Sequence, residues 1–141
     1  MNFLRLVAAV GLTCLPMAVT AVGLQAGAAK VDITDERGPV NDRLYARALA
    51  LRSGETTAVL VSIDAVAIGG IGRIKDDFLP RVRAELKKEL GISPEHTLFN
   101  ASHCHGAVHP ETDGRTIQAV RQAVKNLVPV RAGAGVGRET R

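Results

Sequence analysis

Between residues 28 and 63 the chain's apolar and polar positions follow a period of two. Ala28-Ala29-Lys30-Val31-Asp32-Ile33-Thr34 alternates as a half-buried strand does. Asp35-Glu36-Arg37-Gly38-Pro39 breaks the pattern and reads as a loop. Leu44 to Leu51 and Thr57 to Ile63 predict two more strands, joined as a hairpin across Ser53-Gly54-Glu55. The second of these is nearly continuous in apolar residues, which predicts a central strand covered on both faces. The period then changes. Ile71, Ile74, Phe78, Val82, Leu86 and Leu90 recur at spacings of three and four, the signature of an amphipathic helix, with Gly91 as its stop. Pro80 falls inside that run. It predicts either a helix starting at Asp76 or Asp77 with Pro80 in the first turn, or a longer helix kinked there. A strand from Thr97 to Ala101 follows Ser93-Pro94-Glu95. A second helix carries Ile117, Val120, Val124 and Leu127 on one face, with Thr112 or Asp113 as its cap and Pro129 beyond its end. Val130 to Val136 predicts a last strand loosened by glycines.

The order β-ββ-α-β-α-β defines an α/β fold: a mixed, partly parallel sheet with helices packed on it. In such sheets ligands gather at the carboxyl ends of strands. The helix between the third and fourth strands predicts a right-handed crossover, which makes those strands parallel and brings their ends together.

The N-terminus has a different character. Met1 to Arg5 carries one positive charge, and an uncharged, mostly apolar run extends from Leu6 to Leu24. Val19-Thr20-Ala21 and Ala21-Val22-Gly23 offer small-residue exits. Residues 1–23 therefore read as a signal peptide and 24–141 as the exported domain, secreted or periplasmic. The rival is a retained membrane anchor, since the run is just long enough to span. Gly11, Pro16 and the small-residue exit favour cleavage. Cleavage removes Cys14 and leaves Cys104 alone, which excludes an intrachain disulfide.

Composition narrows the function classes. The 141 residues suffice for one domain with a core. There is no tryptophan and one tyrosine, so stacking on bases is poorly supplied. The net charge of +4 comes from dispersed basic residues rather than a patch, which argues against a nucleic-acid partner.

The candidate chemistry sits at Ser102-His103-Cys104-His105, where the fourth strand runs into a loop. In an extended chain, residues two apart share a face, so His103 and His105 would aim at one point with Cys104 directed away. That suits zinc ligation, or a ligand beside an acid/base histidine. The plainer alternative is a pair of solvated polar residues at a strand end. Asp64, at the end of the third strand, suits metal ligation, orientation of a histidine, or capping of its own turn. Asp64 and His105 are the candidate catalytic residues, and His103 the candidate metal ligand. Cys104 reads as a small buried side chain and His96 as solvated. His109 reads equally as a third ligand or as exposed. Glu111 reads as a first-turn charge favoured by the helix dipole. The glycines between Ala132 and Gly137 precede no helix and so make no phosphate loop.

Taken in order, these segments resemble the N-terminal region of the neutral/alkaline (non-lysosomal) ceramidase family. The matching segments are Ala26 to Thr34, Asp42 to Leu49 with its Leu-Tyr-Ala-Arg-Ala-Leu, Val59 to Asp64, Leu90 to Glu95, and Ser102-His103-Cys104-His105 where the family has Thr-His-Thr-His. The chain departs at Gly106-Ala107-Val108, where the family has Ser-Gly-Pro, and at Thr34-Asp35, where it has Thr-Pro. The resemblance implies a zinc amidohydrolase that cleaves the N-acyl amide of ceramide-like lipids. A substrate of that kind would bring contact with a membrane surface. By the resemblance His103 would be a zinc ligand and His105 a neighbouring site residue. The family's other ligands and its serine nucleophile lie further along than residue 141, so the chain is expected to be an incomplete part of such an enzyme. The alternative is a non-catalytic exported α/β module, or gene fragment, with at most weak metal affinity.

N-terminal sequencing of exported protein should find a start between Val22 and Leu24. An intact Met1 species confined to the cytosol would overturn the leader assignment.

Overall fold

A computed structural model describes residues 23–138. The expected leader lies outside these residues except for Gly23. The β-branched and alanine-rich stretches form β1 (Gln25–Asp32), β2 (Tyr45–Ser53), β3 (Thr56–Ile63), β4 (Thr97–Ala101) and a short β5 (Val128–Pro129). Helices α1 (Phe78–Leu90) and α2 (Thr112–Lys125) lie between β3 and β4 and between β4 and β5. The sheet order is β4-β3-β2-β1-β5. β1, β2 and β3 form an antiparallel meander, while β3 and β4 are parallel, from Val59 opposite Thr97 to Ile63 opposite Ala101. The expected mixed, partly parallel α/β architecture is therefore observed.

Helix α1 begins at Phe78, with Asp77 as N-cap and Pro80 in the first turn. Proline is tolerated there because the first-turn N–H groups have no intrahelical partner. Ile74 is buried, but in the loop before the helix, and Ile71 is exposed. Gly91 ends α1 at φ 68°, and the N–H groups of Gly91 and Ile92 reach back to the carbonyls of Lys87 and Leu86. Only glycine enters that left-handed conformation without a Cβ penalty.

The core lies between one face of the sheet and the two helices. Ala46, Ala48 and Ala50 of β2 and Val59, Val61 and Ile63 of β3 meet Phe78, Val82 and Leu86 of α1 and Ala119, Val120 and Ala123 of α2. The buried stripe of α2 is Thr112, Thr116, Ala119, Val120 and Ala123. It is rotated from the expected face: Ile117, Val124 and Leu127 flank the contact rather than centre it. The reason is close approach. A Cβ at Gly27 of β1 would lie 2.2 Å from the Ala123 carbonyl oxygen. At that separation only small side chains fit between helix and sheet, so the bulkier apolar residues pack at the sides.

Two expectations fail. The last strand is Val128–Pro129, not residues 130–136, and residues 131–138 have no regular structure. Pro129 has no N–H to extend a ladder, and the glycines beyond it supply no side chains to pack. The second face of β3 is also uncovered among the described residues. Val59, Val61 and Ile63 are buried, while Leu60 is 40% exposed. The apolar run of β3 marked a face without a described cover.

Gly27→Ala should destabilise the fold by about 1–3 kcal/mol, since the added methyl meets helix backbone that cannot yield without moving α2. Chemical denaturation measures this. An unchanged midpoint would show that α2 does not sit so close to β1.

Candidate functional site

The site begins with a ladder that outlasts its strands. Beyond the last β3–β4 pair, the Ser102 N–H donates to the Ile63 carbonyl at 3.0 Å and the Cys104 N–H to the Ala65 carbonyl at 3.1 Å. The parallel pairing thus carries the histidine segment alongside residues 63–66. His103 then turns to φ 61°, the one non-glycine residue with positive φ among those described. The expected extended alternation does not hold at this point. A left-handed residue redirects the chain, and it still brings the two imidazoles together. Their centroids are 5.0 Å apart, edge to face at 86°. A non-glycine residue held in this region costs conformational energy, and such residues cluster at functional sites. Cys104, expected to be buried, is only half-buried, packed against the core.

His103 has a defined partner. Its Nδ1 lies 2.9 Å from the Val66 carbonyl oxygen. A carbonyl only accepts, so Nδ1 carries a proton, and in the neutral imidazole the lone pair is then on Nε2. A backbone carbonyl behind one ring nitrogen is the usual second-shell support of a metal-binding histidine. Both imidazoles are solvent-exposed. His105 lies between two clefts. One of about 500 Å³ is bordered by Pro39, Val40, Leu44 and Cys104. The other, of about 230 Å³, is bordered by Val66, Gly72, Arg73 and Ile74.

Asp64 sits beside this turn but faces elsewhere. Its Oδ2 accepts the Tyr45 N–H at 3.0 Å and the Arg47 guanidinium at 2.6 Å, and its Oδ1 accepts the Ser102 hydroxyl at 3.1 Å. Burial, the largest single influence, pushes its pKa up. The Arg47 guanidinium, the Tyr45 N–H and the Ser102 hydroxyl outweigh that and hold it below the usual carboxylate range. Asp64 is thus an ionised carboxylate that fixes Ser102, the residue before His103. His109 is used locally: its Nδ1 accepts the Glu111 N–H at 3.1 Å and its own N–H donates to the Ile33 carbonyl. Glu111 is the N-cap position of α2. His96 lies in a single 3-10 turn, Pro94–His96, at the opposite end of β4. Among the described residues no group of three or more His, Cys, Asp or Glu side chains is placed to hold a metal ion. His103 fits the part of one zinc ligand; a full shell is not formed by these residues alone.

Residues 35–39 have the composition of a plain loop, yet Asp35 is a buried structural residue. Its side chain is 4% exposed. It accepts two hydrogen bonds from the Arg37 guanidinium, each 2.8 Å, a third from the Arg37 backbone N–H at 3.1 Å, and one from Arg73. Its N–H donates to the Ala107 carbonyl at 2.9 Å. One residue therefore ties together the loop after β1, the loop before α1 and the loop after the histidines. Aspartate in a polar loop reads as solvated; the local signal of burial was the neighbouring Ile33-Thr34, both buried.

These features define a class: an α/β sheet with a paired-imidazole site at the carboxyl ends of two parallel strands. No family model matches the sequence, and no curated protein matches it either. Solved structures do. The chain is similar to a ceramidase complexed with C2, at 20% identity and TM-score 0.60, over 77% of this chain and 22% of that one. It is also similar to the neutral ceramidase of Pseudomonas aeruginosa, at 19% identity and TM-score 0.62, again over 77% and 22%. The described chain thus shares the fold of a part of those two ceramidases. The chain spans less than a quarter of the length of those two ceramidases, at 22% of each.

The Asp35 carboxyl is held well below the ordinary range, chiefly by the Arg37 guanidinium and N–H and further by Arg73. A carboxylate with a lowered folded-state pKa stabilises the fold above its unfolded pKa of about 3.9 and loses that contribution as pH falls toward the folded value. Asp35→Asn should lower thermal stability at pH 7, and the gap to wild type should narrow as pH is lowered below about 4. Melting curves across pH decide it. A gap that is constant from pH 7 to pH 2 would mean that the carboxylate charge is not what holds these loops.

Proposed function

We propose that this chain forms part of an exported zinc-dependent amidohydrolase that cleaves the N-acyl amide of sphingolipids. The observation that carries this reading is the carbonyl-backed His103, with His105 at 5.0 Å, on a fold shared with two ceramidases. In this reading His103 offers Nε2 to the metal, and the Val66 carbonyl holds the ring in that tautomer. Zinc, when bound, supplies Lewis-acid polarisation of the amide carbonyl. His105, exposed between two clefts, holds or moves a proton at the reacting amide. Asp64 acts as a positioning residue through Ser102 rather than by touching substrate. The solved ceramidase complexed with C2 supports a lipid amide as the substrate class. Two imidazoles make at most half of a tetrahedral shell. The remaining ligands of a working site would come from outside the described residues.

Zinc titration by calorimetry tests the histidine assignment. Wild type should bind weakly, and more weakly on acidification, because an imidazole must be neutral to ligate. His103→Ala should lose more affinity than His105→Ala. If Cys104→Ser abolishes binding while both histidine variants keep it, the site is thiolate-centred and the amidohydrolase assignment of His103 falls. No zinc binding by wild type would favour the non-catalytic module.

A further inference from the structure

Both helices open onto one cleft beside the histidine site. It holds about 320 Å³ and is bordered by Arg37, Arg73, Lys75, Arg81, His109 and Asp113. Phe78, the first residue of α1, and Thr112, the first of α2, also line it. The arginines are held in place by carboxylates. Arg37 and Arg73 bond to the buried Asp35, and Arg81 pairs with Asp77 at 3.4 Å and Asp113 at 3.2 Å. Lys75 forms no ion pair among the described residues; its ammonium reaches only the Gly72 carbonyl, at 3.5 Å. Four cations therefore face three carboxylates, and Lys75 is the one left over. His109 adds a donor. Its Nδ1 accepts the Glu111 N–H, so in the neutral ring the proton is on Nε2. Two further acids stand aside: Glu111 does not border the cleft, and Asp76 is turned to the Gly70 N–H.

We propose that this cleft binds a phosphate group. Charge selects that ligand. Lys75 leaves one cation unbalanced. Neither helix has a side-chain hydrogen bond from its N-cap, and each helix start contributes about half a positive charge more. The total, about +2, matches a phosphate monoester, which carries about −1.5 to −2 at neutral pH. A metal ion would meet like charge, and an apolar ligand would strand the donors without partners. Arginine forks and a lysine are also the groups that suit phosphate oxygens. The cleft's volume lies at the small end of ligand sites. Arg73, Ile74 and Val108 line both this cleft and the smaller one at His105. A phosphate ester seated here would extend toward the imidazoles. The site needs no zinc, so phosphate binding and zinc titration fail separately.

Nuclear magnetic resonance of the histidine rings in the full chain tests this. Inorganic phosphate, added at constant pH and ionic strength, should move the His109 ring signals saturably. His96, at the opposite end of β4, should stay fixed. Lys75→Gln should weaken phosphate binding about fivefold, the upper range for one exposed ion pair. Lys75 is exposed, so the variant keeps the fold. Lys88→Gln removes the same charge from the far end of α1 and should leave binding unchanged. A second titration uses N-acetyl-O-phosphoethanolamine, a soluble amide that carries a phosphate. Movement of His105 together with His109 assigns the site to the phosphate of an amide ligand. Movement of His109 alone, with the affinity of inorganic phosphate, assigns it to free phosphate. The proposal is overturned by the lack of a saturable shift, by an equal response to chloride, or by equal weakening in Lys75→Gln and Lys88→Gln.

Discussion

The parallel pairing of β3 with β4 is the constraint on which the rest of the site hangs. A parallel pair sends both carboxyl ends the same way, so whatever follows each strand must share one edge of the sheet. Here the ladder continues past its last residue pair through the N–H groups of Ser102 and Cys104. It sets His103 against Val66 and Ser102 against Asp64. The segment that carries the imidazoles is registered against the continuation of β3 by two bonds of the kind that make the sheet, and the left-handed turn at His103 then brings the rings together.

The opposite requirement shapes the other half of the molecule. Helix α2 is drawn close to the sheet because Gly27 and the alanines of β2 leave room for it. Small residues on both sides replace bulk with proximity, and the larger apolar side chains seal the margins. Helix α1 then closes the core from Phe78, Val82 and Leu86, while its crossover makes the parallel pair possible. One face of the sheet is consumed in this way, and the row of Leu49, Leu60 and Leu98 on the other is left uncovered by the described residues.

Much of this was legible in the residues. Periods of two and near four placed the strands and helices, Gly91 marked a helix end, and the strand–helix alternation implied the parallel pair. What escaped depends on tertiary context. The helix periodicity before Phe78 included Ile71 and Ile74 because an apolar residue in a loop has the same spacing as one in a helix. The stripe of α2 was misplaced because the apolar residues there are not the closest ones. The His-x-His spacing pointed to two converging rings for the wrong reason: a left-handed turn at His103, not strand alternation, brings them together. Asp35 was harder to read, since beyond the nearby Arg37 its partners Arg73 and Ala107 are remote in sequence.

That remoteness has a consequence for motion. Asp35 bonds to segments near residues 37, 73 and 107, and the last of these is also tied to the end of the first strand by the Thr34–Val108 bridge and the bond from the His109 N–H to the Ile33 carbonyl. Loops joined through a single hub do not open independently; they release together or stay shut together. The walls around His105 therefore form one cooperative unit within the fold. A change at the Asp35 carboxylate would therefore reach both clefts beside His105, because Asp35 borders one and its partner Arg73 the other.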